Sequence, residues 1–151
     1  MLRGQRKQTV ARAITWSLIV FSIGGRPLAA RTEEVGGIRP WADAMPVPSR
    51  TPSVNALVRY GEEVLPVFDL AGFLKLRVRG NAPLCLIAKR RDGRIVLRID
   101  ADMPQLITVA ADTLRPPAEP DSNILGLCQI DGKEVPIYSL TNLGLPTIHA
   151  S

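Results

Sequence analysis

The sequence contains little of the material from which catalytic and metal sites are built. It has one histidine, His149, and two cysteines, Cys85 and Cys128, among 151 residues. A Ser–His–Asp or Cys–His site requires an imidazole held in place by the fold, and His149 stands third from the end. A structural zinc site takes four Cys or His ligands, whereas the sequence has three such residues. Gly-rich phosphate-binding patterns do not occur in the sequence. The sequence therefore predicts a protein that is not an enzyme and that holds no metal.

Aromatic residues and long apolar runs are also scarce. Hydrophobic residues make up 46% of the chain and aromatic residues 5%, so the core must be aliphatic, and its Val and Ile residues favour strands. The longest apolar run, Ile14–Ile23, is interrupted by polar residues and is shorter than the roughly 20 residues of a membrane-spanning helix. Cys85 and Cys128 lie in separate apolar runs, which predicts buried free thiols. These features indicate a single aliphatic domain without membrane insertion.

The positive charge is concentrated at the N-terminus. The formal net charge is +5, from 19 basic and 14 acidic residues. Arg3, Arg6, Lys7 and Arg12 supply four of the positive charges, which leaves 15 basic residues against 14 acidic ones in the rest of the chain. We expect residues 1–13 to form a solvated, disordered basic arm on a nearly neutral body that has no nucleic-acid partner.

An alternative function uses this charge. The arm and the basic cluster Lys89–Arg91 could belong to an SH3-like nucleic-acid-binding module. The cluster flanks a predicted turn and has no interleaved aromatic residues on which bases could stack. A solvated hairpin tip is therefore the favoured interpretation of Lys89–Arg91.

A second alternative concerns export. The basic arm followed by Ile14–Ile23 and an Ala-rich segment imitates a signal peptide. The chain could then be an exported small β-domain protein that is cleaved near Ala29 or Ala30, in which Cys85 could join Cys128. The competing interpretation of the same segment is a β-strand followed by a tight turn, in a protein of the cytoplasm.

Four pairs of apolar runs are separated by residues typical of tight turns. The predicted hairpins are 18–30 around Gly24–Gly25, 57–70 around Gly61–Glu63, 84–99 around Arg91–Gly93, and 127–140 around Asp131–Gly132. Pro-rich connectors at 40–52 and 115–120 exclude regular helix and central strand there. Helix is expected only as a turn or two within 69–76 and 140–145. This pattern predicts an all-β barrel or sandwich.

The chain also shows an internal duplication. A shift of 70 residues places Leu65–Leu70 on Val135–Leu140, so that an unusual proline inside an apolar strand, Pro66, falls on Pro136. The pattern predicts two similar β-units, each of two hairpins. Each unit would be marginally stable alone, and packing the two face to face would supply the missing core.

A few polar and aromatic residues are candidates for chemistry or contact. Asp100 and Asp102 would face the same way in an extended chain, and paired carboxylates can act as acid and base. Acids solvated at a strand end are far commoner, and we predict that arrangement here. Trp16 alternates with apolar residues and is predicted to be in the core. Trp41 could either anchor an interface or cover the end of a barrel.

Six short segments, taken in order, resemble the CheW-like domain. They are Ile19–Gly25, Val35 with Ile38, Pro46 with Pro48, Val64–Leu70, Val96–Asp100, and Asp131–Leu140 with Leu143. Val64–Leu70 is the most recognisable, since it is similar to the family's Pro-Val-[aliphatic]-Asp-Leu segment. In Val96–Asp100, which looks like the family's Gly-Leu-x-Val-Asp strand, Val96 replaces the glycine.

The resemblance implies both a fold and a function. The fold is all-β, with two SH3-like five-stranded β-barrel subdomains packed together and little helix. We expect a CheW-like domain at 14–145, with a first unit at about 14–76, a second at about 80–145, and a tail at 146–151. The implied function is a cytoplasmic, non-catalytic adaptor that joins the cytoplasmic tip of a chemoreceptor to the regulatory domain of a histidine kinase in chemotaxis signalling, without a cofactor.

Partner contact is expected from exposed aliphatic residues of the barrels and from one arginine. The candidates are Val35, Ile38, Val58, Arg59, Val64, Val96 and Leu97. For each apolar candidate, a place in the core is the competing interpretation. The family has an Arg-Gly pair, associated with receptor contact, at the positions of Gly61 and Glu62. The sequence thus departs from the family at this pair, and Arg59, two residues before Gly61, is the candidate to take the arginine's place.

Overall fold

The computed structural model describes residues 14–146 as a protein of strands and short connections. The strands are β1 Thr15–Ile23, β2 Arg26–Arg31, β3 Val35–Pro40, β4 Met45–Pro46, β5 Val54–Tyr60, β6 Glu63–Phe68, β7 Leu84–Arg90, β8 Gly93–Ile99, β9 Gln105–Ala110, β10 Ile124–Ile130 and β11 Lys133–Tyr138. One helix, α1 Leu70–Phe73, and two 3-10 turns, Thr32–Glu34 and Ala111–Thr113, complete the elements. The expected arm, 1–13, lies outside the described residues, as does the tail from 147 onward with His149.

The strands form two sheets. Sheet A has the order β10-β11-β2-β1-β9, and sheet B has the order β3-β7-β8-β6-β5-β4. All four predicted hairpins are present as antiparallel pairs. Helix within 69–76 is limited to α1, and 140–145 contains turns. The all-β prediction is therefore confirmed, with two SH3-like subdomains.

Two of the hairpin turns show why their sequences were informative. Gly24 and Gly25 have φ angles of 63° and 78°, and Asp131 and Gly132 have 50° and 76°. Two successive positive φ angles are the mark of a type I′ turn, whose twist matches that of the flanking strands. Gly-Gly and Asp-Gly reach this conformation with little strain.

The duplication is visible in the strands. A shift of 70 residues superposes the bounds of β3 on β9, of β5 on β10, and of β6 on β11. The parallel pairings are also equivalent, because β6 meets β8 at Val67 and Val96, and β11 meets β2 at Ile137 and Ala29. The two repeats therefore build the same arrangement of strands.

The sheets do not follow the two consecutive units expected at 14–76 and 80–145. Sheet A combines β1 and β2 with β9, β10 and β11, and sheet B combines β7 and β8 with β3 to β6. Each repeat thus contributes its first hairpin to the sheet that the other repeat completes. The sequence could not reveal this exchange, because the first hairpins of both repeats offer similar edges for pairing.

Three apolar clusters form the core of residues 14–146. The largest takes side chains from both sheets, including Phe21, Leu28, Leu86 and Leu97. The other two lie separately, one on sheet B with Cys85 and one on sheet A with Cys128. Both cysteines are buried and free, as predicted.

Candidate functional site

Three of the seven predicted contact residues lie in the core. Val58, Val96 and Leu97 are 1%, 0% and 0% exposed, so they cannot touch a partner in this structure. Val58 and Val96 belong to the sheet B cluster, and Leu97 belongs to the cluster shared by both sheets. Strand β8 is covered on both faces, so successive residues are buried on opposite sides of the sheet. Alternation along this strand therefore leaves no exposed face.

Val35 and Ile38 lie on β3, at one edge of sheet B. Both are half-buried and pack against the shared cluster. A bulge between Val35 and Gly37 interrupts the pairing with β7. These two residues therefore present part of their apolar surface at an irregular sheet edge.

Arg59 and Val64 are directly opposite each other in the β5–β6 hairpin. Arg59 is exposed, and Val64 is 47% exposed although it is aliphatic. Glu62 is exposed in the turn between them. We call Arg59, Glu62 and Val64 the hairpin surface, since it joins a cation, an anion and an apolar side chain on one exposed element.

The neighbouring contacts hold this hairpin in place. Glu63 forms an ion pair with Arg94 of β8 at 2.7 Å. The hydroxyl of Tyr60 accepts a hydrogen bond from the Ala42 N–H at 3.2 Å and donates one to the Pro40 carbonyl at 3.1 Å. Burial, with a contact to Cys85, raises the pKa of Tyr60 to about 12, so this hydroxyl keeps its proton. The hairpin surface is thus presented on a fixed support.

The structure does not bring all the candidates together. Strands β7, β8 and β6 stand between β3 and β5 in sheet B. The candidates therefore occupy two separate places on the same sheet. One is formed by Val35 and Ile38, and the other is the hairpin surface.

A groove of about 440 Å³ opens beside Trp41. Its lining includes the buried residues Val67, Phe68 and Leu70, which come from the segment that most resembles the family. Arg98 lies over the indole of Trp41, with its guanidinium 5.5 Å from the ring centroid. Trp41 is half-buried against the sheet B cluster, so it covers part of the barrel and also forms a wall of the groove.

Asp100 differs most from its sequence-based interpretation. It is 1% exposed, whereas Asp102 is exposed as predicted. Its Oδ1 accepts hydrogen bonds from the N–H groups of Gly24 at 2.9 Å and Arg79 at 2.7 Å, and its Oδ2 accepts one from Gly25 at 2.8 Å. Asp100 thus ties the β1–β2 turn of sheet A to the end of β8 in sheet B.

Burial alone would raise the pKa of Asp100. The N–H groups of Gly25, Arg79 and Gly24, together with the Ser22 side chain, outweigh that effect, and the pKa lies below its ordinary value. Asp100 therefore holds the fold together as a carboxylate and is not half of an acid–base pair.

Glu34 makes a similar connection. Its Oε1 accepts hydrogen bonds from the N–H groups of Leu140 at 2.6 Å and Thr141 at 3.1 Å. It joins the turn before β3 to the chain that follows β11. The sequence offered no signal for this role, because the partners are more than a hundred residues away.

The basic cluster Lys89–Arg91 is not a free hairpin tip. Arg90 is 9% exposed and is paired with both carboxylate oxygens of Asp92, at 2.6 and 2.9 Å, and with the Leu143 carbonyl at 3.1 Å. Arg91 donates to Asn142 Oδ1 at 2.7 Å and to the Pro146 carbonyl at 3.0 Å. The prediction of three solvated cations was therefore wrong for Arg90, whose long stem packs while its charge is paired.

The described residues offer no other chemical centre. Within 14–146, no group of three or more His, Cys, Asp or Glu side chains is placed to hold a metal ion. In the same residues, no helix is long and apolar enough to cross a membrane.

Comparisons with known proteins agree with this architecture. A family model, the CheW-like domain, matches residues 17–144. Among solved structures, the scaffolding protein TtCheW from Thermoanaerobacter tengcongensis is similar, with a TM-score of 0.75 at 16% sequence identity over 88% of this chain and 90% of that chain. At this identity, the likeness shows the fold. No curated protein matches the sequence.

Proposed function

Because the chain belongs to the CheW-like domain family, we propose that it is a non-catalytic adaptor in a chemotaxis-type signalling pathway. In this proposal it works in the cytoplasm, without a cofactor, and joins the cytoplasmic tip of a chemoreceptor to the regulatory domain of a histidine kinase. The observation that carries the proposal is the family match over residues 17–144, which includes every strand but the first two residues of β1.

The placement of the candidate contacts supports a role with two partners. An adaptor needs surfaces that can be occupied at the same time, and it acts by raising the effective concentration of one partner near the other. We assign the hairpin surface to the receptor tip, because the resemblance associates this turn with receptor contact. Kinase docking then uses other strands, among which β3 offers the half-buried Val35 and Ile38.

The structure counts against export. Leu28, Ala29 and Ala30 are 0% exposed and lie on β2, in the middle of sheet A. Cleavage near Ala29 or Ala30 would remove β1 and most of β2. Cys85 and Cys128 also lie in different clusters, so the disulfide of the exported alternative has no support.

Nucleic-acid binding by the body is likewise poorly supported. Arg90 and Arg91 are already bonded to groups of this chain, which leaves Lys89 as the exposed, unengaged residue of the cluster. A phosphate backbone is bound by several cations that release counterions together. The described body therefore offers little for such contacts at this turn.

The test of the proposal measures binding to both partners. The full chain is titrated against the purified regulatory domain of the histidine kinase and against the receptor tip encoded nearest to it. We expect both to bind. We expect Val64→Lys to weaken binding to the receptor tip and to leave binding to the kinase domain unchanged, because Val64 is exposed and distant from β3. Failure of the wild-type chain to bind the kinase domain would contradict the proposal.

A charge reversal at the turn tests the departure from the family. Glu62→Arg places a cation one residue after the position of the family's arginine and keeps Gly61, whose φ of 64° would strain an arginine placed there. We expect about fivefold tighter receptor binding, the effect of roughly 1 kcal/mol at an exposed site, with kinase binding unchanged. Glu119→Arg, which makes the same change in an exposed connector, is the control. Equal receptor affinity in Glu62→Arg and wild type would show that the charge at this position does not govern receptor binding.

A further inference from the structure

Each repeat places an arginine over a tryptophan. Arg31, at the end of β2, lies over the indole of Trp16, with its guanidinium carbon 4.3 Å from the ring centroid. Arg98, near the end of β8, lies over Trp41 at 5.5 Å. A shift of 67 residues superposes the pairing of β1 with β2 on that of β7 with β8, and it places Arg31 on Arg98. The two arginines therefore occupy equivalent positions in sheets A and B.

A carboxylate of the described residues accompanies only the first of these arginines. Glu33, two residues after Arg31, forms an ion pair with it at 3.0 Å, although the Nε–H of Arg31 is not aligned for a hydrogen bond. The acid two residues after Arg98 is Asp100, which is 1% exposed and whose two oxygens are bonded to backbone N–H groups. No ion pair among residues 14–146 includes Arg98. The acid that could neutralise Arg98 is thus engaged within the fold, and the guanidinium stays exposed.

The groove beside Trp41 joins Arg98 to a second cation. Arg77 is exposed and also lines the groove, and no ion pair in the described part of the chain includes it. Asp69 is the only acid among the lining residues, and its Oδ1 accepts a hydrogen bond from the Gly72 N–H at 2.9 Å, which caps α1. The buried apolar residues at the end of β6 and the start of α1 belong to the same lining. The groove therefore combines two guanidinium groups that have no carboxylate partner in residues 14–146 with an apolar surface.

We propose that this groove binds an acidic segment of a protein partner, with a carboxylate of the segment on Arg98 and a neighbouring apolar side chain against the buried lining. The pair of Arg31 with Glu33 shows, within the same chain, which group an arginine at the equivalent position takes. A guanidinium that stacks on an aromatic ring still offers N–H groups at its rim, and it can bind a carboxylate through two of them. Arg77 adds a second positive charge that attracts the same segment.

The contact is a property of this chain and not of its family. Arg98 occupies the variable position of the segment that resembles the family's Gly-Leu-x-Val-Asp strand. A partner that matches Arg98 would therefore be distinguished from the partners of other family members, which is how charged contacts confer specificity. The choice of a protein segment over a free carboxylate rests on the proposed function, in which the chain binds proteins.

The test follows the two indole N–H signals of the full chain by nuclear magnetic resonance. The probe is the peptide acetyl-Leu-Glu-Leu-Glu-amide, added up to about 10 mM because so small a ligand binds weakly. We expect the Trp41 signal to shift and the Trp16 signal to stay in place, because Glu33 already accompanies Arg31. Arg98→Gln should weaken the peptide about fivefold, the effect of one exposed ion pair, whereas the matched change Arg31→Gln should leave its affinity unchanged.

Two further ligands show whether the carboxylate is what the groove recognises. The same peptide with Gln in place of both Glu residues should bind at least about fivefold more weakly than the acidic one. Equal binding of the two peptides would overturn the proposal, as would an Arg98→Gln chain that binds the acidic peptide like wild type. Inorganic phosphate that moves the Trp41 signal as strongly as the acidic peptide would also overturn it, because the groove would then take anions in general.

The proteins of the proposed function supply the second measurement. Where the wild type binds the kinase regulatory domain and the receptor tip, Arg98→Gln should weaken one of them about fivefold, and Arg31→Gln should weaken neither. Unchanged affinity for both proteins would overturn the assignment of the groove to a partner. Failure of the wild type to bind the kinase domain would contradict the proposed function instead, and the peptide titration would still decide the groove.

Discussion

At the scale of single residues, Asp100 connects separate parts of the fold, whereas the exposed Asp102 does not. One carboxylate accepts three backbone N–H groups, two from the β1–β2 turn and one from Arg79. Water cannot replace these bonds, because Asp100 is almost fully buried. Removing the carboxylate would leave buried donors without a partner, which costs more than the loss of an average hydrogen bond.

We predict that Asp100→Asn lowers the free energy of unfolding at pH 7 by about 2–3 kcal/mol. Asp102→Asn, the matched change at an exposed position, should alter it by less than about 0.5 kcal/mol. Urea unfolding followed by circular dichroism measures both. If the two variants were equally stable, Asp100 would not hold the turn in place.

The lowered pKa of Asp100 predicts that the free energy of unfolding depends on pH. The folded-state pKa of Asp100 is lowered, so its ionised form contributes stability above the unfolded-state pKa of about 4. This contribution is lost as the pH falls through the folded-state pKa. The stability difference between wild type and Asp100→Asn should therefore shrink below about pH 4, as urea unfolding across an acid series would show. A constant difference down to pH 2 would argue against a carboxylate contribution.

At the scale of elements, Arg90 joins the β7–β8 hairpin to the chain after β11. Its side chain bridges Asp92 in the turn and the carbonyl of Leu143. The hydrogen bond from Arg90 also holds the pKa of Asp92 below its ordinary value. The hairpin tip and the C-terminal turn therefore stabilise each other.

Arg90→Ala should lower the free energy of unfolding by about 2 kcal/mol, since a buried, multiply bonded side chain is lost while Asp92 stays partly solvated. Lys89→Ala, on the exposed face of the same strand, should have an effect within about 0.5 kcal/mol. Thermal and urea unfolding of the two variants give the comparison. Equal stability would mean that the Arg90 contacts contribute nothing net.

The elements also show what can be predicted from sequence. The hairpins were predictable because Gly24–Gly25 and Asp131–Gly132 fix turn geometry locally. The burial of Val96 and Leu97 was not, because the two faces of β8 are covered by different clusters. Asp100 was misjudged because its partner Gly24 is 76 residues away, and local pattern carries no information about such a contact.

At the scale of the whole molecule, the exchange of hairpins links the two sheets. Each sheet contains strands from both repeats, and one cluster takes side chains from both sheets. Neither sheet is complete without the other half of the chain. Unfolding should therefore be one cooperative transition.

The two cysteines test this cooperativity directly. Cys85 belongs to the sheet B cluster and Cys128 to the sheet A cluster, and burial raises the pKa of both thiols. Alkylation in increasing urea, read for each cysteine by mass spectrometry, should give coincident midpoints for the two thiols. Separate midpoints would show that the sheets unfold independently, against the linkage inferred from the topology.

In the proposed function, one chain holds a kinase domain and a receptor tip at the same time. The most direct measurement immobilises the kinase regulatory domain and asks whether the receptor tip is retained with and without this chain. We predict retention that depends on the chain, with kinase binding unaffected by saturating receptor tip. Displacement of the chain from the kinase domain by the receptor tip would contradict the claim, because mutually exclusive partners cannot be joined.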